Sequence, residues 1–186
     1  MHQILQQDLQ LFHLINQDWV HPYLDVFLSF MRNSYVWFPL YVFLISFLLF
    51  NFGRQGLYYL LFAISMVILS NLLSSELIKK SIKRTRPCNE IALEGNRRII
   101  VHCGSGYSFT SSHATNHFCV SAFIFLTGMG FFGRWRYLFL IWAAVISYAQ
   151  VYVGVHYPVD VFCGSLLGVF SGYIGSIIFK RLKVFS

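Results

Sequence analysis

Residues 57–78 read LYYLLFAISMVILSNLLSSELI, an apolar run in which Glu76 is the one charged residue. A helix needs about 17–25 residues to cross the hydrocarbon core of a bilayer, so a run of this length is typical of a transmembrane helix. The basic stretch KKSIKRTRPC follows directly at 79–88. A membrane crossing that ends in a cluster of positive charge therefore decides the class of fold.

Further apolar runs lie on both sides of this segment, and each is long enough to cross a bilayer. With 57–78 they predict five spans, the others being 35–51, 113–132, 136–155 and 160–182. Short polar breaks separate them, and no linker or internal repeat divides the chain. We expect one all-α domain, residues 1–186, built as an integral membrane bundle of about six helices.

The first 33 residues are ambiguous. Leu5, Leu9, Phe12 and Ile15 recur at helical spacing among polar neighbours, which is typical of an amphipathic helix lying on a membrane. Residues 22–31 are mostly apolar but too short to span alone. The two pieces form either one broken span or an interfacial segment, so the first helix of the bundle is expected to be irregular or interfacial.

Composition agrees with a membrane protein. Hydrophobic residues make up 56% of the chain and charged residues only 11%, about half the charged fraction of a soluble domain. The net charge of +7 would favour a nucleic-acid partner in a soluble protein. In a membrane protein it indicates anionic headgroups or a phosphorylated substrate, and we expect no nucleic-acid partner. The N-terminus lacks the features of a cleavable signal peptide.

The segment 79–112 is the only long polar loop, and it holds seven of the 14 basic residues. If the spans alternate in direction, this loop lies on the same membrane face as the turn around His156. That face carries eight basic residues against six on the other, which slightly opposes the positive-inside rule. However, the loop charges cluster with catalytic-type residues. A role in the active site therefore explains their position without the positive-inside rule. We expect an extracytoplasmic loop that carries part of the active site.

Three clusters of reactive residues fall on that one face. They are Lys79 with Arg86 and Pro87, then Ser111, Ser112 and His113, then Gln150, His156 and Asp160. Arg86 offers a planar fork of donors for phosphate oxygens, and Lys79 adds a point charge. The second cluster begins a helix, where backbone N–H groups favour an anion. His156 and Asp160 are spaced so that the carboxylate can orient the imidazole for nucleophilic attack.

These residues resemble the type 2 phosphatidic acid phosphatase family, whose pattern is K-x6-R-P, then P-S-G-H, then S-R-x5-H-x3-D. The first motif is complete in this chain, the second reads TSSH at 110–113, and the third reads AQ at 149–150 followed by His156 and Asp160. The resemblance implies that His156 attacks phosphorus, Asp160 orients it and His113 protonates the leaving oxygen. It implies that Lys79, Arg86 and the segment 111–113 hold the phosphate, without a metal or cofactor.

The chain departs from the family pattern at three positions. Gln150 stands in place of an arginine, which removes one positive fork. Its amide offers two donors and one acceptor, so we expect Gln150 still to face and bind the phosphate as a neutral donor. Thr110 replaces proline, and Ser112 replaces a glycine, which is acceptable if φ is negative there. The loop arginines Arg84, Arg97 and Arg98 are candidates to replace the missing charge.

Several of these residues also have a purely structural interpretation. Lys80, Lys83 and Arg84 are read as residues that extend to lipid headgroups, and His117 as a packed hydrogen-bonding residue. Glu76 is a possible structural partner of Lys79.

The function predicted is that of a lipid phosphate phosphatase in the cell inner membrane. Undecaprenyl diphosphate is the first choice of substrate and phosphatidylglycerol phosphate the next; phosphatidic acid and lipid A also fit. A non-catalytic lipid-phosphate binder is the alternative that Gln150 favours. The vanadium haloperoxidases have a similar site, but they are large soluble proteins. The sequence makes no prediction of the oligomeric state.

Cys88 and Cys103 both lie in the polar loop, whereas Cys119 and Cys163 lie within predicted spans. If the loop faces outwards, the first pair meets an oxidising compartment in which disulfides persist. A bridge would hold the loop over the site and fix the distance from Arg86 to the segment 111–113. The alternative is two unpaired cysteines that lie too far apart to bond.

Overall fold

The computed structural model describes residues 2–182, and the regular structure in this range is helical. The prediction of an all-α membrane bundle is confirmed. The α-helices are α1 (His2–His13), α2 (Pro22–Met31), α3 (Phe38–Leu72), α4 (Lys79–Ile82), α5 (Ser112–Thr127), α6 (Met129–Phe132), α7 (Tyr137–Tyr152) and α8 (Pro158–Arg181). A π-helical segment, Leu73–Ile78, joins α3 to α4, and another, Leu14–Asp18, follows α1.

Within residues 2–182, three helical stretches are long and apolar enough to cross a membrane: Ser34–Ile82, Met129–Tyr152 and Pro158–Arg181. The first has 49 residues, and a straight helix of that length would be more than twice as long as the hydrocarbon core is thick. It bends sharply at Gly53, where φ is +52°, and a Cβ at Gly56 would lie 2.1 Å from the carbonyl oxygen of Leu48. The predicted break at 51–56 is therefore a glycine bend between two arms of α3.

Helices α5 and α8 approach each other closely because α8 presents a row of glycines to α5. A Cβ would lie 2.7 Å from the Ser111 carbonyl oxygen at Gly164, 2.3 Å from that of Thr115 at Gly168, and 2.4 Å from that of Cys119 at Gly172. Small residues at this spacing let helix backbones touch within membranes. The close approach sets the start of α8 beside the start of α5, where the Ser111 N–H donates to the Asp160 carbonyl oxygen at 3.0 Å.

Hydroxyl contacts join the end of α3 to the same end of α5. Ser74 Oγ lies 3.0 Å from Thr110 Oγ1 and 3.1 Å from Ser112 Oγ. The Ser70 hydroxyl donates to Asn116 one turn further along α5, at 3.0 Å. The α3–α5 contact therefore brings Lys79, at the start of α4, to the end of the bundle where α5 and α8 begin.

The segment before α3 packs against α7. Asp25 of α2 accepts from the Tyr152 hydroxyl at 2.7 Å, near the end of α7. At the other end of α2, the Trp37 indole donates to the Met31 carbonyl at 2.7 Å and packs on Trp142 in the middle of α7, with 5.4 Å between ring centroids. Helix α2 therefore runs along α7 and leads into the first arm of α3, and the expectation of a broken span or an interfacial segment stays a prediction.

Candidate active site

The turn between α7 and α8 carries His156 and is fixed by its own backbone. The Gln150 carbonyl accepts from the N–H groups of Val155 and His156, both at 3.2 Å. Gly154 has φ +86°, and a Cβ there would lie 2.4 Å from the carbonyl oxygen of Arg98, so only glycine fits. Asn16 ties the same region together, because its amide donates to the Arg98 and Tyr152 carbonyls at 2.8 Å each.

His156 and Asp160 face each other with Ser108 between them. His156 Nδ1 lies 3.6 Å from Asp160 Oδ2, which is longer than a hydrogen bond. Ser108 Oγ donates to the same carboxylate oxygen and lies 3.4 Å from Nδ1. This order of groups places the imidazole proton on Nδ1, so that the Nε2 lone pair is free to attack. Burial lowers the pKa of His156 to about 4, although Asp160 acts in the opposite direction, so the ring is neutral at pH 7.

The second oxygen of Asp160 is held by Arg84. Arg84 Nη1 lies 2.7 Å from Asp160 Oδ1, and Nη2 lies 2.6 Å from Oδ2 of Asp8 in α1. Asp8 is buried and also accepts from the Val159 N–H at 2.8 Å. The guanidinium lies 3.9 Å over the Tyr157 ring. Although burial alone would lower it, the carboxylates of Asp160 and Asp8 raise the pKa of Arg84. Arg84 thus supports the catalytic carboxylate and does not extend to headgroups.

Two further loop arginines, Arg97 and Arg98, also have protein acceptors. Arg97 donates to the Glu90 carbonyl within the loop. Arg98 makes a forked contact with the Asp25 carboxylate at 2.8 and 2.7 Å and lies 5.1 Å over the Tyr152 ring. Arg84 and Arg98 therefore do not replace the charge missing at position 150, because each is paired with a carboxylate. For Arg97 that expectation stays a prediction.

Lys79 and Arg86 differ from Arg84 and Arg98 in having no carboxylate partner within residues 2–182. Both are half-buried, and both lie within electrostatic range of His156. Arg86 Nε donates to the Gly106 carbonyl at 3.2 Å. Burial lowers the pKa of Arg86, partly offset by Asp160. The suggested pairing of Glu76 with Lys79 is wrong, because Glu76 pairs with the exposed Lys80. Lys79 and Arg86 thus place positive charge near His156.

The side chains of Ser111 and Ser112 form hydrogen bonds to other groups of the protein. Ser111 Oγ caps α5 by accepting from the Ala114 N–H at 3.5 Å, and Ser112 Oγ lies 2.9 Å from Ser75 Oγ. The Ser111 N–H is taken by Asp160, so in this part of the chain only the N–H groups of Ser112 and His113 are left for a phosphate. Lys83 is the one non-glycine residue with positive φ in residues 2–182, so Ser112 is unstrained at the family's glycine position.

His113 and His117 lie one turn apart on α5. Their rings stack with 6.2 Å between centroids, and His117 Nδ1 donates to the His113 carbonyl at 2.7 Å. His117 also packs against Trp142 at 4.6 Å, which is the structural role expected of it. His113 lies within electrostatic range of His156 and Lys79.

Gln150 is fully buried. Its amide nitrogen donates to the Ile146 carbonyl of its own helix at 3.2 Å, and its amide oxygen has no donor in residues 2–182. Its backbone holds the His156 turn, while its side chain supplies no positive charge.

Cys88 and Cys103 are bridged, with 5.9 Å between their Cα atoms, a normal separation for a disulfide. Of the two alternatives that the sequence left open, the structure contains the bridge. It draws the segment after Cys103 against Arg86, such that a Cβ at Gly104 would lie 3.4 Å from Arg86 Nη1. Cys119 and Cys163 are free.

Sequence reasoning missed Ser108 and Asp8. Asp8 gave a faint signal, because it is the only acid in α1, a helix otherwise made of apolar and uncharged polar residues and histidine. Ser108 gave none, since one serine in a polar loop is unremarkable without the distance to Asp160.

Comparison with known proteins now identifies the arrangement. Residues 56–183 match the model of the PAP2 superfamily. The chain is 29% identical over 165 residues to a lipid A 4'-phosphatase from Bacteroides thetaiotaomicron, covering 87% of this chain and 72% of the relative. It is 31% identical over 170 residues to an undecaprenyl-diphosphatase from Sulfolobus acidocaldarius, covering 90% and 76%.

A solved PAP2-type phosphatidylglycerolphosphate phosphatase from Bacillus subtilis has the same fold. It superposes with a TM-score of 0.75 at 22% identity, covering 100% of this chain and 90% of that one. The predicted activity, a membrane-bound lipid phosphatase, is confirmed by the family and these relatives. The chain belongs to the PAP2 superfamily.

Proposed function

We propose that this chain removes the terminal phosphate of undecaprenyl diphosphate at the extracytoplasmic face of the inner membrane, through a phosphohistidine on His156. The observation that carries the proposal is the pairing of a neutral, oriented His156 with two cations, Lys79 and Arg86, that have no carboxylate partner in residues 2–182. An anion beside the nucleophile satisfies those charges.

The reaction has two steps. His113 gains a proton when the anionic phosphate binds beside it. His156 Nε2 forms a bond to the terminal phosphorus, the bond from phosphorus to the bridging oxygen breaks, and His113 gives that oxygen its proton. The lipid monophosphate leaves. Water then attacks the phosphohistidine while His113 takes its proton, and inorganic phosphate departs from His156. Asp160, through Ser108, stabilises the positive charge that develops on the ring. Lys79, Arg86 and the N–H groups of Ser112 and His113 stabilise the phosphoryl oxygens.

A cavity beside the site supports a lipid with one hydrocarbon chain. It has a volume of about 480 Å³, lies between α3, α5 and α7, and has an almost entirely apolar lining that includes Tyr41, Leu48, Tyr59, Val120 and Trp142. His117, which stacks on His113, is part of the wall. This apolar lining suits a hydrocarbon chain. The relative named undecaprenyl-diphosphatase agrees with the choice of undecaprenyl diphosphate.

The disulfide supports the extracytoplasmic placement of the site. Bridges persist in oxidising compartments and are rare in the bacterial cytoplasm. Cys88 and Cys103 are bridged in the loop that also carries Arg86. The loop lies on the same side of the bundle as His156, so both are proposed to face outwards in the inner membrane.

Lipid A 4'-phosphate is the second candidate, because relatives from Bacteroides thetaiotaomicron and Porphyromonas gingivalis carry the name lipid A 4'-phosphatase. Phosphate release by purified protein in detergent separates the candidates. We would compare undecaprenyl diphosphate, phosphatidylglycerol phosphate, phosphatidic acid and bis-phosphorylated lipid A, with His156→Ala as the blank. The proposal expects the highest kcat/KM for undecaprenyl diphosphate. A higher kcat/KM for lipid A would make lipid A the substrate in place of undecaprenyl diphosphate. No phosphate release from any lipid would refute the proposed phosphatase function.

A further inference from the structure

The site lacks one positive charge that its family pattern provides. Gln150 stands at the arginine position, and its amide donates to a carbonyl of its own helix. Arg84 and Arg98 are paired with carboxylates, and Arg97 donates to the Glu90 carbonyl within the loop. A phosphate bound at His156 would therefore meet only Lys79 and Arg86, unless another cation lies nearby.

Arg32 is such a cation. It follows the last residue of α2, and its side chain is half-buried among the membrane helices. Its Nε is buried and donates to no acceptor in residues 2–182, and no carboxylate in that range pairs with the guanidinium. An ionised side chain beside apolar helices is costly unless it is paired, so an unpaired one marks a functional position.

A series of side-chain contacts connects the neighbour of Arg32 with His113. Trp37 donates to the carbonyl of Met31, the neighbour of Arg32, and its ring packs on Trp142. Trp142 contacts His117, which stacks on His113. Burial lowers the pKa of Arg32, and the nearby charge of Arg86 lowers it further. Arg32 is also within electrostatic range of His113. Arg32 therefore lies within electrostatic range of Arg86, and Arg86 lies within range of Lys79. Asp160, the acid that acts on Arg86 and Lys79, is already paired with Arg84.

We propose that Arg32 binds the phosphate of the lipid substrate and takes the place of the arginine that position 150 lacks. The proposal rests on the proposed function and names a further residue of the same site. A phosphate bound between the three cations replaces their repulsion by attraction, and the guanidinium fork suits two phosphate oxygens. The chain would thus deliver the missing charge from α2, a segment outside the three sequence motifs.

Complementation tests the assignment. Arg32→Gln removes the charge, and we expect kcat/KM for the lipid to fall by about 10–100-fold, the usual loss for a charged hydrogen bond to phosphate. Inhibition by orthovanadate should weaken in parallel. Adding Gln150→Arg to Arg32→Gln should restore kcat/KM to within about threefold of wild type, because the charge returns to the same phosphate. Arg134→Gln, an exposed arginine at the other end of the bundle, is the matched control and should retain wild-type activity.

Several results would overturn the proposal. Arg32→Gln within about twofold of wild type excludes a phosphate contact. A large loss that Gln150→Arg does not rescue, with unchanged vanadate inhibition, assigns Arg32 a structural role only. If Arg32→Gln does not fold, Arg32→Lys keeps the charge, and it must retain vanadate inhibition for the proposal to stand.

The phosphate contact of Arg32 can be tested separately from the proposed lipid phosphatase activity. Calorimetric titration of wild type and Arg32→Gln with inorganic phosphate and with vanadate tests the contact even if no lipid is hydrolysed. Weaker binding of these free anions to the variant supports the site. Equal binding refutes it. A contact made only with the lipid headgroup would leave free-anion binding unchanged, and it too would contradict the three-cation cluster proposed.

Discussion

Arg84 Nη1 lies 2.7 Å from Asp160 Oδ1, the carboxylate oxygen that does not face His156. The carboxylate is therefore held on both sides, by Arg84 on one oxygen and by Ser108 and the Tyr157 N–H on the other. This contact fixes the carboxylate that faces His156, and it ties the start of α8 to the polar loop.

We expect Arg84→Gln to lower kcat by about 10-fold or more while changing KM little, since the variant loses orientation of His156 and not the phosphate contacts. Without the positive charge, the pKa of His156 rises, so the acid limb of kcat/KM moves to higher pH. Arg84→Lys should recover part of the loss. An unchanged pH profile, measured on protein whose thermal midpoint is intact, would show that Arg84 does not act through Asp160.

Asp8 should act through Arg84 and therefore have a smaller effect. Asp8→Asn keeps the shape but removes the charge that holds Arg84 Nη2 at 2.6 Å. We predict a fall in kcat of about 3–10-fold and a lower thermal midpoint, because a buried cation loses a partner. Asp18→Asn, an exposed acid in the same N-terminal segment, is the control and should behave as wild type. If Asp8→Asn and Asp18→Asn have the same kcat and thermal midpoint, α1 does not support the site.

The acid limb of kcat/KM reports the free enzyme, in which burial lowers the pKa of His156 to about 4. The nucleophile must be neutral, so activity should persist as pH falls below 6.5, the ordinary value, and should be lost only on approaching 4. Measurement of kcat/KM between pH 4 and 8, with a parallel stability check at each pH, tests this. A limb centred near 6.5 would mean that His156 is more exposed to water than the structure has it.

The disulfide should matter for both stability and activity. Closing a loop of about 15 residues stabilises by roughly 3 kcal/mol on the chain-entropy model. We expect Cys103→Ser to lower the thermal midpoint and to reduce kcat/KM several-fold, because the segment that contacts Arg86 is released. Cys163→Ser, which removes a free thiol, should do neither. Free thiols at both 88 and 103 in protein purified from the membrane under non-reducing conditions would contradict the bridge.

Length and hydropathy were enough to predict the long apolar stretches at Ser34–Ile82, Met129–Tyr152 and Pro158–Arg181, because a helix in lipid must satisfy its backbone within an apolar run. The expected span 113–132 is not among them, and its residues begin the shorter helix α5. The motif residues were also readable, since their spacing is set by chemistry. The row of Gly164, Gly168 and Gly172 was visible at a spacing of four and could have predicted the α5–α8 contact. Helix ends were harder to predict from the sequence. Helix α5 ends at Thr127 and not at 132, and α7 ends at Tyr152 and not at 155.

What the sequence could not provide was the partner of each charged residue. Arg84, Arg97 and Arg98 were candidates for the phosphate because they lie near the motifs along the chain. Arg84 and Arg98 instead pair with acids 76 and 73 residues away, and such pairings depend on the packing of α1 and α2. Arg32 was passed over for the same reason, because its distance along the chain from every motif hides its position in space.

The most direct test of the central claim is to trap the phosphohistidine. Rapid acid-free quenching of wild-type protein with undecaprenyl diphosphate labelled in the terminal phosphate should leave label on the protein, mapped by mass spectrometry to His156, and Asp160→Asn should form it more slowly. His156→Ala should carry no label and release no phosphate. Label on any other residue, or a tenth or more of wild-type activity in His156→Ala, would contradict the account.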